Sequence, residues 1–227
     1  AEYVVMPEEW LVAAPATLND AQASTLPCAA LTAWFALVER GGVRAGDTVL
    51  IRGTGGVALF GLQFAKLHGA TVVVTCSPEK IDRVLALGAD HAIDRHRSDA
   101  LEALYALTGD YGADQSLETV GGVYLAESVK AAAVGGRISQ IGALDGFENS
   151  SPAMPLMMKD VTIQGIGTGH RRALEDMVRA VARTGLTPVI DRRFALADLP
   201  IALERLDAGP FGKIVIDVTG ERDGGAA

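Results

Sequence analysis

The sequence contains little cysteine, no excess of positive charge and no obvious membrane-spanning run. Cys28 and Cys76 are its only cysteines, too few for a disulfide framework, so a reducing cytoplasm is the expected location. Acidic residues outnumber basic ones by 28 to 20, and the net charge of −8 argues against a nucleic-acid partner. No apolar run approaches a membrane span and the N-terminus has no signal-peptide pattern, so we expect no membrane partner.

What the sequence does contain is a large apolar fraction. Apolar residues make up 49% of the 227 residues and charged residues 21%, which indicates a globular protein with a sizeable core. The segment Ala1–Met6 reads as a strand and has no initiator methionine. Because a strand needs a partner, we expect further chain upstream of it.

The most informative stretch is Thr48–Lys66, which reads as a strand, a glycine-rich turn and an apolar helix. This arrangement holds the pyrophosphate of a dinucleotide, because free N–H groups and the helix dipole favour negative charge at the helix start. Gly53 allows the tight turn, Gly55 lets the backbone approach the phosphates, and Ala58 keeps the helix near the strand. A merely flexible turn is the alternative. The turn residues expected to bind the cofactor are Gly53, Thr54, Gly55, Gly56 and Val57.

Strand-like and helix-like segments alternate from Thr48 onward, which predicts an α/β fold with a doubly wound parallel sheet of the Rossmann type. The six predicted strands are Thr48–Arg52, Thr71–Thr75, His91–Asp94, Ala113–Glu118, Arg137–Gly142 and Val161–Ile166. The predicted helices are Asp20–Thr25, Leu26–Arg40, Val57–His68, Pro78–Leu87, Asp99–Leu107, Val123–Ala133, Pro152–Met158 and Arg171–Thr184. A ligand is expected outside the carboxyl ends of the strands.

The pattern changes after the last of these helices to strand, helix and strand. The predicted elements are Pro188–Phe194, Leu199–Asp207 and Gly212–Val218. Residues 221–227 are small and polar, which predicts a frayed tail.

The chain resembles the medium-chain dehydrogenase/reductase superfamily, in its zinc-type alcohol dehydrogenase-like and quinone oxidoreductase-like branches. The stretches that carry this resemblance are Leu26–Trp34, Gly53–Val57, Leu87–His91, Glu118–Gly122, Val161–Gly165 and Phe211–Val215. It implies a dinucleotide-binding Rossmann domain over residues 26–185. Residues 1–25 and 186–220 would then be remnants of a GroES-like β catalytic domain whose upstream portion is missing.

The resemblance implies an NAD(P)H-dependent oxidoreductase that transfers hydride between nicotinamide and a carbonyl, alcohol, quinone or enone. Its partner would be a small-molecule substrate, whose identity the sequence leaves open. A module that binds cofactor without turnover is the main alternative, and a nucleotide-binding methyltransferase is a more distant one.

The choice of cofactor depends on the end of the second strand. No acidic residue stands in Val72–Ser77 to bind a ribose 2′-hydroxyl, and Glu79 comes one residue too late. Ser77 and Lys80 are able to donate to a 2′-phosphate, so we predict NADP, with NAD possible. Ser77 followed by Pro78 is also an ordinary pair for a helix start.

Other positions are assigned through the resemblance. Arg95 would contact the adenine ribose or be an exposed arginine, and Glu118 would lie beside a ribose. Val120, Ile141, Gly142 and Lys213 would line the nicotinamide side, with ordinary turn residues as the alternative.

Thr32 is the catalytic candidate, since it lies one helical turn from Cys28 and both can face the same cleft. In zinc-dependent relatives the Cys28 position binds the catalytic metal, but the further ligands would come from the absent region. We therefore interpret Cys28 as a core cysteine and expect no metal site in this chain.

The strand Val161–Ile166 would form an edge of the sheet, and exposed apolar edges are usually covered. In the family this edge commonly pairs with a second subunit, so we predict a homodimer through it.

Overall fold

The computed structural model describes residues 3–218, and its centre is a sheet of six parallel strands in the order β3-β2-β1-β4-β5-β6. The strands are β1 (Thr48–Arg52), β2 (Thr71–Cys76), β3 (His91–Asp94), β4 (Ala113–Glu118), β5 (Ala132–Gln140) and β6 (Thr162–Gly165). The predicted doubly wound Rossmann fold is confirmed. The predicted tail, residues 221–227, lies outside the described residues.

Helices cover both faces of this sheet. They are α1 (Asp20–Arg40), α2 (Gly56–Leu67), α3 (Ile81–Ala86), α4 (Ala100–Leu107), α5 (Tyr124–Ala131), α6 (Ala153–Met158), α7 (Arg171–Thr184) and α8 (Leu199–Asp207). On one face the β1 side chains of Val49 and Ile51 pack with Phe60 and Phe64 of α2. Leu50 points to the opposite face, into a smaller cluster under α4 and α5. Because β1 is buried on both faces, it reads as a continuous apolar run rather than an alternating one.

Two predicted N-terminal helices form one helical segment, α1. Its start is fixed by a capping box, in which Asn19 Oδ1 accepts from Gln22 N and Gln22 Oε1 accepts from Asn19 N. Two π-helical segments, Leu26–Ala30 and Phe35–Arg40, flank an α-helical centre at Leu31–Trp34. Within α1 the α-helical turn Asp20–Ala23 ends before a turn at residues 24–25, and the next helical segment begins at Leu26, which agrees with the predicted boundary at residue 25.

The length of α1 also changes the expectation about membrane spans. By length and composition Asp20–Arg40 passes the test for a membrane-crossing helix, with a mean hydropathy of 1.3 over its most apolar window. That window is 56% buried, and α1 packs against α2 and α7. The apolar side chains of α1 therefore form part of the core of the domain.

Three smaller differences follow from local backbone preferences. Residues 3–6 form no strand, and their side chains are exposed, so the predicted first strand is wrong over the part that is described. The helix predicted over Val123–Ala133 ends at Ala131, because Ala132 is already extended. β5 consequently begins at Ala132, and the Gly135–Gly136 pair falls inside it, where Gly135 adopts φ +76°.

A second, two-stranded parallel sheet follows α7. It consists of β7 (Ile190–Ala195) and β8 (Lys213–Asp217), connected through α8. Arg205 of α8 donates to both oxygens of Asp191, at 2.8 and 2.9 Å, and this ion pair fixes α8 against β7. Gly212 N donates to Thr54 O at 2.9 Å, which joins this unit to the turn after β1. The domain boundaries stay a prediction.

The loops that follow β4 and β5 pass unusually close to each other. A Cβ added at Gly142 would lie 1.8 Å from Thr119 O. Only glycine, which has no Cβ, avoids this overlap. Just beyond, Leu144 N donates to Val120 O at 2.7 Å. The two loops therefore form one unit at the carboxyl edge of the sheet.

We expect Gly142→Ala to lower the free energy of unfolding by about 2 kcal/mol, because the added methyl group overlaps backbone atoms that cannot rotate away. Urea denaturation measures the change. Gly167→Ala is the matched control, since no described atom lies within 4 Å of a Cβ added there. Equal unfolding midpoints for the two variants would contradict the close approach.

Candidate functional site

The turn between β1 and α2 has the geometry of an anion-binding loop. Gly53 adopts φ +83°, which suits glycine, and its N–H donates to Thr75 O at 2.7 Å. Gly55 is extended at φ −74°, and no described atom lies within 4 Å of a Cβ added to it. No side chain of the described residues caps α2, so its first-turn N–H groups have no side-chain acceptor among them. These features fit a pyrophosphate above the turn.

The turn opens on a cavity of about 580 Å³. This cavity brings together most of the residues expected to bind the cofactor. Those that line it are Gly53, Thr54, Gly55, Gly56, Val57, Ser77, Lys80, Arg95, Val120 and Lys213.

Gly56 determines where the side chain of Lys213 runs. A Cβ added at Gly56 would lie 2.5 Å from Lys213 Cδ and 3.1 Å from the Cβ of Ala29. Because Gly56 has no side chain, the aliphatic part of the Lys213 side chain can cross the start of α2. Close helix–strand packing, by contrast, is set at Gly61, where an added Cβ would lie 2.3 Å from Leu117 Cδ1. The sequence reasoning assigned that role to Ala58, which is buried as well.

At the carboxyl end of β2 the two expected phosphate donors are already engaged. Ser77 Oγ donates to Glu79 Oε1 at 2.6 Å and makes no helix-capping bond. Lys80 Nζ donates to Gly209 O at 2.8 Å. For Ser77 to donate to a 2′-phosphate its hydroxyl must leave Glu79, whereas the ammonium group of Lys80 has two further N–H donors beside the one that Gly209 O accepts.

Arg95 lies between two cavities. It lines the large one and also a cavity of about 250 Å³ between the sheet, α4 and α5. Its Nε donates to His96 Nε2 at 3.3 Å. Arg95 is placed at the end of β3, as expected, where it can reach either cavity.

Glu118 does not lie beside the cavity as expected. Its side chain is fully buried, and its Oε2 lies 2.9 Å from Arg52 Nε and accepts from Ser128 Oγ at 2.6 Å. Its Oε1 accepts from Val120 N at 3.0 Å and from Gly121 N at 3.1 Å. The predicted ribose contact is wrong, because the side chain points into the sheet face under α5 and supports the turn after β4 from below.

Three other predicted site residues do not line the large cavity. Ile141 and Gly142 both donate from the backbone to Glu118 O, at 2.9 and 3.1 Å. Thr32 is buried, and its hydroxyl donates to Cys28 O at 2.7 Å. It also contacts Thr168 Oγ1 at 3.3 Å. The catalytic assignment of Thr32 stays a prediction.

Cys28 itself is exposed, so its interpretation as a core cysteine is wrong. It is the third residue of the segment Leu26–Ala30 of α1, where Pro27 and Cys28 are both exposed. Within residues 3–218, no group of three or more His, Cys, Asp or Glu side chains is placed to hold a metal ion. The described residues therefore do not fit a zinc site on their own.

The apolar wall of the cavity was missed by sequence reasoning. It comes from α8 and the residues before β8, which the sequence placed in a different unit. The α8 residues Leu199, Ala202, Leu203 and Leu206 follow the i, i+3, i+4, i+7 spacing of one helix face, a signal that was available. Gly209, Pro210, Gly212, Ile214 and Ile216 complete this wall.

Comparison with known proteins agrees with this geometry. A sequence profile of the family described as zinc-binding dehydrogenase matches residues 56–183, more than half of the chain. The chain belongs to this family. The predicted membership of the medium-chain dehydrogenase/reductase superfamily is confirmed.

Individual members of the family match nearly the whole chain. A zinc-type alcohol dehydrogenase-like protein of Schizosaccharomyces pombe is 35% identical over 96% of this chain and 65% of its own length. A crystal structure from Sinorhizobium meliloti 1021, provisionally designated an alcohol dehydrogenase, is 62% identical with a TM-score of 0.92. A structure of an NAD-dependent alcohol dehydrogenase is 35% identical with a TM-score of 0.90. Both structures are matched over 96% of this chain and 64% of theirs, so the chain spans slightly less than two thirds of these dehydrogenases.

We expect Arg52→Ala to destabilise the protein by about 3–5 kcal/mol, because it leaves the carboxylate of Glu118 buried without its cation. Arg97→Ala, which breaks the exposed pair with Asp99, should leave stability nearly unchanged. Urea unfolding of both variants measures the difference. Similar losses in both would contradict the structural role of the buried pair.

Proposed function

We propose that this protein is an NAD(P)H-dependent oxidoreductase that transfers hydride between nicotinamide and a small carbonyl, alcohol, quinone or enone substrate. The observation that carries the proposal is the open glycine turn at Gly53–Val57, facing a cavity of about 580 Å³. Three cationic side chains, Lys80, Arg95 and Lys213, line the cavity. Family membership and the dehydrogenase relatives support the same activity.

The chain's own residues bind and orient the reactants. The N–H groups of the turn hold the pyrophosphate, and the apolar face of α8 excludes water from the cavity. When bound, the nicotinamide supplies or accepts the hydride. Thr32 acts as a positioning residue in this proposal, because its hydroxyl already donates to Cys28 O and links α1 to Thr168.

For the cofactor we propose NADP(H), with NAD(H) also accepted. Ser77, Lys80 and Arg95 are the side chains able to donate to a 2′-phosphate at the ribose end of the cavity. The acceptance of NAD(H) is supported by the 35% identical relative that is an NAD-dependent alcohol dehydrogenase. It is supported as well by the internal hydrogen bonds that Ser77 and Lys80 make.

We expect Gly55→Val to weaken binding of NADH and NADPH about tenfold or more, because the side chain would occupy the space that the phosphates take. The fold should persist, since the backbone at Gly55 has an ordinary φ of −74° and the site around it is open. Fluorescence titration and isothermal calorimetry measure binding, and circular dichroism checks folding. Unchanged affinity in the folded variant would overturn the assignment of the turn.

Turnover separates an enzyme from a module that only binds cofactor. Mixing the chain with NADPH and a panel of quinones, enones and aldehydes should give loss of absorbance at the nicotinamide band. Tight binding of both dinucleotides with no oxidation across the panel would favour the binding module instead.

We further propose a homodimer through β6, which forms the outer edge of the sheet and leaves Thr162 and Gly165 exposed. Thr162→Lys should shift the protein toward monomer in light scattering at micromolar concentration, because an edge lysine opposes strand pairing. Thr184→Lys, at the exposed end of α7, is the matched control. A wild-type monomer at that concentration would contradict the proposal.

A further inference from the structure

Ser77 lines the cavity, and its hydroxyl is already hydrogen-bonded to an acidic side chain. It is 9% exposed, lines the cavity, and donates to Glu79 Oε1 at 2.6 Å. The turn Pro78–Lys80 is a single 3₁₀ turn, and its tight path carries Glu79 back toward the end of β2. Glu79, which the sequence places one residue too late, is thus connected to the cavity through the hydroxyl of Ser77.

Glu79 carries its negative charge throughout the neutral range. The hydrogen bond from Ser77, followed by one from its own backbone N–H, holds the pKa of the Glu79 carboxyl below its usual value. Lys80 and Arg95 are the cations that act on it, and both also line the cavity. Glu79 is exposed, so its interaction with other charges is screened by salt.

Lys80, one of the two cations that act on this carboxylate, also binds a backbone carbonyl. Lys80 Nζ is held by Gly209 O at 2.8 Å, and burial lowers the pKa of its ammonium group. A phosphate group at the ribose would meet a carboxylate that already holds the Ser77 hydroxyl. A ribose hydroxyl is neutral and can donate to that same carboxylate.

We infer that Glu79, acting through the Ser77 hydroxyl, is the residue that discriminates against a 2′-phosphate on the adenosine half of the cofactor. It limits the preference for NADP(H) that Ser77, Lys80 and Arg95 would otherwise give. This inference rests on the proposed function, because it places the adenosine ribose at Ser77.

The test uses ligands that isolate the adenosine half. The 227-residue chain and its Glu79→Gln variant are titrated calorimetrically with 5′-AMP and with 2′,5′-ADP, and then with NADH and NADPH. Glu79→Gln should tighten 2′,5′-ADP about tenfold by removing the repulsion between like charges, and should leave 5′-AMP nearly unchanged. The NADPH-to-NADH affinity ratio should rise in the same proportion, and the gain should shrink as salt is added.

Two further variants separate this charge effect from a structural one. Glu79→Asp keeps the charge and should keep the discrimination, whereas Asp82→Asn removes an exposed carboxylate three residues further on and should change neither ligand. Ser77→Ala combined with Glu79→Gln should recover only part of the gain, because the released hydroxyl is then missing.

The outcomes distinguish the inference from the function beneath it. If both dinucleotides bind but Glu79→Gln leaves the 2′,5′-ADP to 5′-AMP ratio unchanged, the role of Glu79 is overturned and the proposed function stands. If Asp82→Asn has the same effect as Glu79→Gln, the effect is one of net charge, and the inference is likewise overturned. If neither NADH nor NADPH binds the wild-type chain, the proposed function fails and the inference with it.

Discussion

The buried contact between Arg52 and Glu118 is the constraint on which the cavity depends. These residues end the neighbouring strands β1 and β4, and the turns that line the cavity start directly after them. Glu118 receives the N–H groups of Val120 and Gly121, while Thr119 Oγ1 donates to Arg52 O at 2.6 Å. Because Glu118 accepts two N–H groups from the turn after β4, its buried charge is fully hydrogen-bonded only when that turn is in place, and the pair therefore stabilises the turn as well as the sheet.

The second constraint is the position of the small sheet relative to the glycine turn. β8 approaches the turn as an extra strand would, with a bridge between Gly55 and Gly212. The apolar face of α8 is thereby brought over the cavity opposite the turn. A site of this kind combines polar backbone on one wall with apolar side chains on the other, which is the usual composition of a cofactor cavity.

The sequence predicts well whatever depends on short stretches of chain. The order of strands and helices follows from local periodicity, and the glycine turn follows from a few adjacent residues. The errors lie where tertiary packing decides. Glu118 points away from the cavity because alternation along β4 places it on the face under α5, and Cys28 is exposed because no other described element covers that side of α1, whereas Leu26, Ala29 and Ala30 of the same segment are buried. The contact of Glu79 with Ser77 depends on a single 3₁₀ turn, which the number of residues between the glycine turn and Glu79 does not predict.

The link between Gly212 and Thr54 joins main-chain atoms only. Such a bond requires glycine at position 212, where φ is +93° and an added Cβ would lie 2.4 Å from Val189 O, but it uses no side-chain atom of the neighbouring residues, which can vary while the alignment of the two units is retained. The side chains along the walls of the cavity can therefore change without moving the glycine turn relative to β8. In this architecture main-chain atoms fix the geometry, whereas side chains at the neighbouring positions can vary during evolution.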